Sequence, residues 1–229
     1  MKKLNVMINN LRILLPLVLI LSASTVKAQT INWASLTNEH THVLSANVGL
    51  EHGVTYGAGY GFHIKTKLFP IVANAEYSFP SGNNLLDDFK AKAGAQIRLV
   101  EYRNFQLTAK LHGVFRRHDQ GQSRLVNFGS DIASVVGYYQ PKWFIAGEVG
   151  FDKAIATHFK HSTYKEQFAG AVNGWYEPAT GGNFYYGLQT GVSFKRHDIT
   201  LKAGKMLTQD FKTKPLVPFY AQLGYNVKF

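Results

Sequence analysis

Cysteine is absent from this sequence of 229 residues. Its absence excludes disulfides, thiolate metal sites, cysteine nucleophiles and a lipid-modified N-terminal cysteine. Long apolar runs are scarce too: the N-terminal run over 13–23 has eleven residues, whereas a membrane-spanning helix needs about 20. No run of Lys or Arg is longer than two. The basic charge is therefore dispersed, and it does not favour nucleic acid as a partner.

The first 28 residues have the pattern of a secretory signal peptide. Three cations precede the apolar run, and the small-x-small sequence Val26-Lys27-Ala28 follows it. Cleavage after Ala28 would make Gln29 the first residue of the mature chain. Without the four cations of this region, the formal charge falls from +11 to +7. We therefore predict a cleaved signal peptide over 1–28.

Apolar and polar residues alternate along almost the whole chain from Thr41. The clearest stretches are GVTYGAGYGFHIKT (53–66), FKAKAGAQIRLV (89–100), FQLTAKLHGVFR (105–116) and PFYAQLGYNVKF (218–229). Period-two alternation is typical of a strand with one apolar face. Ten strands are predicted, over 41–52, 53–66, 69–80, 88–101, 103–117, 125–139, 142–154, 183–196, 198–207 and 217–229. Most are long enough for a tilted strand to cross a bilayer, which takes about 9–11 residues.

The predicted connections alternate between short and long. EYRN, QPK and KRHD are tight, whereas the connections near 80–88, 118–124, 155–182 and 208–217 are longer. Membrane barrels have this alternation because their periplasmic turns are short and their outer loops are long. Aromatic residues border connections of both kinds, as expected for two membrane interfaces.

Alternation alone does not decide whether the apolar rows face lipid or form the core of a soluble barrel. A soluble, lipocalin-like barrel would turn the apolar row inward. The polar rows, however, contain many glycines, among them Gly57, Gly59, Gly61, Gly94, Gly187, Gly191 and Gly224. Glycine weakens a strand, so it brings an advantage only where a crowded interior needs small residues. We therefore predict an all-β fold: a closed antiparallel transmembrane β-barrel of ten strands, with eight or twelve as alternatives, after a cleaved signal peptide.

The C-terminal stretch LGYNVKF resembles the terminal strand signal of Gram-negative outer-membrane β-barrel proteins. In that family the barrel-assembly machinery reads such a strand, and the matching residues here are Tyr225, Val227 and Phe229. A Gln directly after the cleavage site and the segment GWYEPATGGNFYYGLQTG make the chain similar to small outer-membrane proteins of Bacteroidota. The resemblance implies the bacterial cell outer membrane as the location. It implies outer-membrane lipid, lipopolysaccharide and the assembly machinery as partners, without nucleic acid.

The domain organisation follows from these predictions. Residues 1–28 are the signal peptide, residues 29–40 form a short N-terminal periplasmic segment, and residues 41–229 form the outer-membrane barrel.

The inward rows are predicted to be basic. The residues expected to line the lumen are Lys90, Lys92, Arg98, Lys110, His112, Arg116, Glu148 and Lys195. One interpretation is a narrow anion-preferring pore, because lining charge sets selectivity. The other is a structural or surface-binding barrel whose interior is largely filled by ion pairs. Barrels of about eight strands are filled by side chains, so a ten-stranded barrel favours the filled interior.

An enzymatic alternative centres on the long fourth outer connection, where His161, Ser162 and Glu166 lie. It would be an outer-membrane lipid hydrolase of the lipid A deacylase or phospholipase type. The chain lacks a His-x-Ser pattern on a strand, and adjacent strand residues point to opposite faces. We therefore expect a non-enzymatic, porin-like envelope protein, with no catalytic residue, metal or cofactor.

Overall fold

The computed structural model describes residues 29–36, 39–50, 53–66, 69–81, 87–119, 123–161, 173–177, 182–212 and 217–229. A 3-10 turn, Trp33–Ser35, precedes eleven strands. The strands are His42–Leu50 (β1), Val54–Ile64 (β2), Ile71–Pro80 (β3), Phe89–Tyr102 (β4), Phe105–Asp119 (β5), Ser123–Gln140 (β6), Trp143–His161 (β7), Gly174–Tyr176 (β8), Gly182–Phe194 (β9), His197–Thr208 (β10) and Phe219–Lys228 (β11). Within these segments, no helix has the length and apolar character needed to cross a membrane.

Ten of the strands form one closed antiparallel barrel. Each strand pairs with the next along the chain, β7 pairs with β9, and β11 returns to pair with β1. The three-residue strand β8 pairs only with the far end of β7. Closure satisfies the backbone groups that an open sheet edge would leave without partners in lipid. The predicted ten-stranded barrel is thus confirmed.

The hairpin of β6 and β7 extends beyond the predicted strands. Alternation predicts this strand over 142–154, but β7 continues to His161, where it pairs with Ser123. The register shifts by one residue at a bulge at Ile155, because Gly129 pairs with Ala154 and Phe128 pairs with Ala156. Because the bulge interrupts the period-two pattern, the alternation could not reveal the continuation. Part of the predicted fourth outer connection is therefore strand.

The two faces of the barrel have the predicted orientation. In β11 the exposed residues are Phe219, Ala221, Leu223 and Tyr225, and the buried residues are Tyr220, Gln222, Gly224, Asn226 and Lys228. The same rule holds in β9, where Leu188 is 64% exposed and Gln189 is 3% exposed. Soluble monomers rarely expose a contiguous apolar surface, whereas here large apolar side chains of nine of the ten barrel strands are exposed. The chain is therefore a membrane β-barrel with a polar interior.

Two inward glycines show why the polar rows need small residues. A Cβ atom on Gly94 would lie 2.0 Å from the carbonyl oxygen of Leu111, so the neighbouring backbone leaves no room for it. A Cβ atom on Gly61 would lie 2.7 Å from Oε1 of Gln29. Gly94 therefore allows close approach of the neighbouring strand, and Gly61 leaves space for the Gln29 side chain inside the barrel.

Aromatic side chains form contacting rows at both ends of the strands. At the end with the long connections (the long-loop end), ring centroids are 5.3 Å apart for Tyr77 and Phe89 and 5.0 Å apart for Phe115 and Phe128. At the end with the short connections (the short-turn end), Phe105 contacts Tyr138 and His197 stacks on Tyr225. Two such levels are the arrangement expected at the two interfaces of a bilayer.

Phe229 lies at the seam where the barrel closes. Its backbone N–H donates to the carbonyl of His42 (3.0 Å), and the His42 N–H donates to the carbonyl of Phe229 (2.9 Å). The two rings stack with centroids 5.4 Å apart. Of the predicted assembly residues, Tyr225 and Phe229 are exposed on the outer surface and Val227 is half-buried in the same row. Their reading by the assembly machinery stays a prediction.

Deletion of Phe229 is expected to leave most of the chain outside the membrane as unfolded material. The deletion removes the last pair of hydrogen bonds in the seam and the aromatic end of the predicted assembly signal. Heat-modifiable migration in gels, measured on membrane and soluble fractions, reports the folded barrel. Phe229→Tyr is the matched control, because it keeps both backbone hydrogen bonds to His42 and an aromatic ring. A normal yield of heat-modifiable barrel after the deletion would contradict the prediction.

Candidate functional site

The centre of the barrel holds a buried layer of ion pairs. Lys92 of β4 bonds to Asp131 of β6, and Lys110 of β5 lies 3.2 Å from Oε1 of Glu148 in β7. Lys202 of β10, which is separated from β7 by β9 alone, binds the other carboxylate oxygen, Oε2, of Glu148. All five side chains are at least 94% buried from solvent. Buried charges are retained only when paired in this way, so the layer is a crosslinked filling.

Tyrosines complete the central layer. The Tyr185 hydroxyl donates to Oδ1 of Asp131 (2.7 Å). The Lys202 ammonium lies 5.9 Å from the ring centroids of both Tyr185 and Tyr220. Alternation places both tyrosines in inward rows, but nothing in the sequence singles them out. The order of the strands brings these side chains together, because β9 pairs with both β7 and β10, and β6 and β11 lie next to these in the sheet.

A vestibule opens above this layer at the long-loop end. Its cavity measures about 490 Å³, and its lining includes Ser78, Lys90, Arg116, His118 and Asp152. Lys90 lies 3.4 Å from Asp152, and Arg116 bonds to the same carboxylate. The predicted lumen residues Lys90 and Arg116 thus lie in the barrel mouth, where Asp152 neutralises part of their charge.

The other cations near the vestibule are also paired with acids. Arg117 and Arg124 both bond to Asp119, at 3.2 Å and 2.8 Å. His118 Nδ1 lies 2.7 Å from Asp88. These pairs hold the edges of β4, β5 and β6 together, and they reduce the positive field available to an external anion.

Residues 29–36 lie inside the short-turn end of the barrel. Gln29 contacts the middle of β3 and β4 through Glu76 and Gln96 (2.5 and 2.9 Å). Asn226 donates to the carbonyl of Thr30, and Lys228 donates to the Ser35 hydroxyl at the mouth. From Gln29 to Ser35 the segment therefore runs from the barrel centre to the mouth at the short-turn end.

Apolar contacts anchor the same segment. Ile31 and Trp33 are 4% exposed and belong to one cluster with Val72, Tyr139 and Phe144 on the barrel wall. The periplasmic segment over 29–40 stays a prediction, and the structure adds that its described first part fills the short-turn end of the barrel. The sequence signal for this enclosure is the pair Ile31 and Trp33. Large apolar residues are mostly buried in folded proteins, so two of them so close together indicate a packed segment.

Three predicted lumen residues have distinct positions. Arg98 lies beside the inserted segment, 5.9 Å from the Trp33 ring, and pairs with Glu101. His112 is 1% exposed and hydrogen-bonds through Nε2 to Asn74 (3.0 Å). Lys195 does not line the interior. Strand β9 ends at Phe194, and Lys195 is exposed in the following turn with φ of 55°.

The residues of the hydrolase alternative are only partly described. His161 ends β7 and hydrogen-bonds to Asn173 (3.1 Å between Nδ1 and Oδ1), so it lies on a strand end rather than in a loop. Ser162 and Glu166 lie outside the described residues. Within the part of the chain that the structure covers, no group of three or more His, Asp or Glu side chains could hold a metal ion.

Comparisons with protein families, curated proteins and solved structures do not assign this chain to a family. No family model matches the chain, and no curated protein matches it. A KdgM porin structure aligns with 82% of this chain and 99% of its own, at 8% identity and a TM-score of 0.44. A structure from a study of the in-meso crystallization of membrane proteins aligns with 83% of this chain and 84% of its own, at 8% identity and a TM-score of 0.37. At these scores neither similarity assigns a family or function. Strand pairing and burial define the class, a closed membrane β-barrel.

Proposed function

We propose that this chain is a non-enzymatic integral protein of the bacterial outer membrane, exported by a cleaved signal peptide. In this proposal the barrel is closed to solutes and acts as a structural or surface-binding protein through its long-loop end. The short-turn end faces the periplasm. Outer-membrane lipid and lipopolysaccharide surround the apolar face, and the barrel-assembly machinery inserts the chain.

The observation that carries this proposal is the central layer of Lys92, Asp131, Lys110, Glu148 and Lys202. These five buried charges form one ion pair, Lys92 with Asp131, and one triad around Glu148, and their side chains occupy the lumen at that level. Moving a permeating ion past them would break charge-assisted bonds, which are about twice as strong as neutral ones. A filled interior is therefore better supported than the narrow anion-preferring pore.

The vestibule at the long-loop end is the place where a surface-binding role would operate. Its cavity of about 490 Å³ lies in the size range of small-ligand pockets, about 300–1,000 Å³. Its cations and acids are paired with one another. A ligand with groups of both charges would fit these pairs better than a simple anion.

The test is planar-bilayer conductance of the refolded mature chain, with the reversal potential measured in a salt gradient. We expect a folded, heat-modifiable barrel without steady conductance. Steady anion-selective conductance would contradict the closed barrel and establish the pore. Release of fatty acid from phospholipid or lipid A by the same preparation would contradict the non-enzymatic role.

A further inference from the structure

Five acidic side chains lie inside the described barrel, and four of them pair with Lys or Arg. Asp131 pairs with Lys92, Glu148 with two lysines, Asp152 with Lys90 and Arg116, and Asp198 with Lys228 at 2.7 Å. The fifth acid is Glu76 in β3, which is 6% exposed. No Lys or Arg of the described segments forms an ion pair with it.

The groups that hydrogen-bond to Glu76 are neutral. Lys92 stands opposite Glu76 in the register of β3 and β4, but its ammonium bonds to Asp131. Its Oε1 accepts from Nδ2 of Asn74 (2.8 Å) and from the backbone nitrogen of Gln29 (2.5 Å). Its Oε2 is buried and has no hydrogen-bond partner among the described residues. An ionised carboxylate buried in this way is costly unless a positive group accompanies it. Glu76 therefore lacks a cation at the point where it meets Gln29.

The sequence predicts a cation at that same point. Hydrolysis of the Ala28–Gln29 peptide bond consumes one water molecule and leaves a carboxylate on Ala28 and an α-amine on Gln29. Protonated, this amine is an ammonium with three N–H donors in place of a single amide donor. One hydrogen can bond to Oε1, and a second lies within reach of the neighbouring Oε2. The Glu76 carboxylate would then be paired with a positive charge, and its Oε2 would have a hydrogen-bond donor.

We propose that Glu76 is the internal binding site for the amino terminus made by signal-peptide cleavage, and that the Gln29–Glu76 ion pair locks residues 29–36 into the barrel. The inference rests on the export and processing proposed above. It adds a consequence: the barrel acquires its seated N-terminal segment only after processing. The remaining bonds of Gln29 support the same geometry, since Nε2 of Gln96 donates to its carbonyl at 2.9 Å.

Amine labelling tests the ion pair directly. Mature protein is purified from membranes, its intact mass is measured, and an amine-reactive reagent is applied near neutral pH to folded and to boiled samples. Peptide mass spectrometry then gives the labelling rate at the Gln29 nitrogen. We expect the intact mass of a chain that begins at Gln29 with a free amine. Labelling of this amine should be at least about tenfold slower in the folded than in the boiled protein, because the amine is buried and charge-paired.

Two variants and a matched control sharpen the test. Glu76→Gln removes the charge with little change of shape, and we expect folded-state labelling to rise by about tenfold, equivalent to about 1.4 kcal/mol. Asp88→Asn removes an acid at the opposite, long-loop end whose carboxylate is 34% exposed and contacts His118, and labelling should not change. An alanine inserted between Gln29 and Thr30 displaces the amine without altering any barrel residue, so it keeps the test valid if Glu76→Gln fails to fold.

Three results would overturn the proposal. The first is a mature chain that begins at a residue other than Gln29. The second is an N-terminus that has lost ammonia by cyclisation of the glutamine, because the resulting lactam carries no charge. The third is equal labelling of folded and boiled wild-type protein. None of these depends on conductance, so failure of the ion pair and failure of the closed-barrel proposal remain distinguishable.

Discussion

Glu148→Gln is expected to lower the free energy of unfolding of the barrel by about 3–5 kcal/mol, the usual cost of removing one partner from a buried ion pair. Glu148 is 2% exposed and receives both Lys110 and Lys202. The glutamine keeps the size of the side chain but leaves two buried ammonium groups without a countercharge. The nearest remaining acid, Asp131, is already bonded to Lys92 and Tyr185.

Urea titration of the barrel in lipid vesicles, followed by tryptophan fluorescence, measures this loss. Glu101→Gln is the control, because the Glu101 carboxylate is 45% exposed at the short-turn end and solvent-exposed ion pairs contribute about 0–1 kcal/mol. Similar losses for the two variants would show that the central layer is hydrated like the surface, and the closed interior would have to be abandoned.

Ala93→Arg is expected to destabilise the barrel by about 2–4 kcal/mol, the cost of a cation on the lipid face near the bilayer midplane. Ala93 is exposed on the outer face of β4 and pairs with Ala75 and Gly113 of the adjacent strands. These neighbours are small and apolar, so they offer the guanidinium no partner. The same vesicle titration measures the effect.

Ala93→Leu is the matched control, since it adds bulk at the same site without charge and should be close to neutral. A loss as large for leucine as for arginine would indicate a packing defect rather than a lipid-facing position. Gln96, which points inward from the same strand, is unsuitable as a tolerant control. It is 1% exposed and donates to Gln29, so a charge there would disturb the inserted segment.

The alternation of apolar and polar residues predicts much of this fold. Alternation in residues 218–229 predicts which side chains of β11 face outward, and the structure agrees residue by residue. The prediction succeeds because successive side chains of any strand point to opposite faces, whatever the strand pairs with. It fails where the local geometry changes, at the bulge at Ile155 and at the turn that holds Lys195.

The candidate site was predictable only as a set of residue types. Sequence order places Lys92, Lys110 and Glu148 in inward rows, but it does not say which charges meet. Lys92 and Asp131 are 39 residues apart, on strands that are not neighbours in the sheet. Their contact depends on the register of every strand between them.

The sequence by itself determined an all-β chain of about ten long strands, the face that side chains of regular strand occupy, and the polar character of the interior. These properties follow from the period of a strand and the order of its connections. Only the tertiary structure decided that the interior is crosslinked around Glu148 and that residues 29–36 fill the short-turn end. The ion pairs depend on the order of the strands, because Glu148 of β7 meets Lys110 and Lys202 from strands two places away on either side. The enclosure of residues 29–36 depends on closure, because this segment contacts β3 and β11, which lie on opposite sides of the seam between β1 and β11.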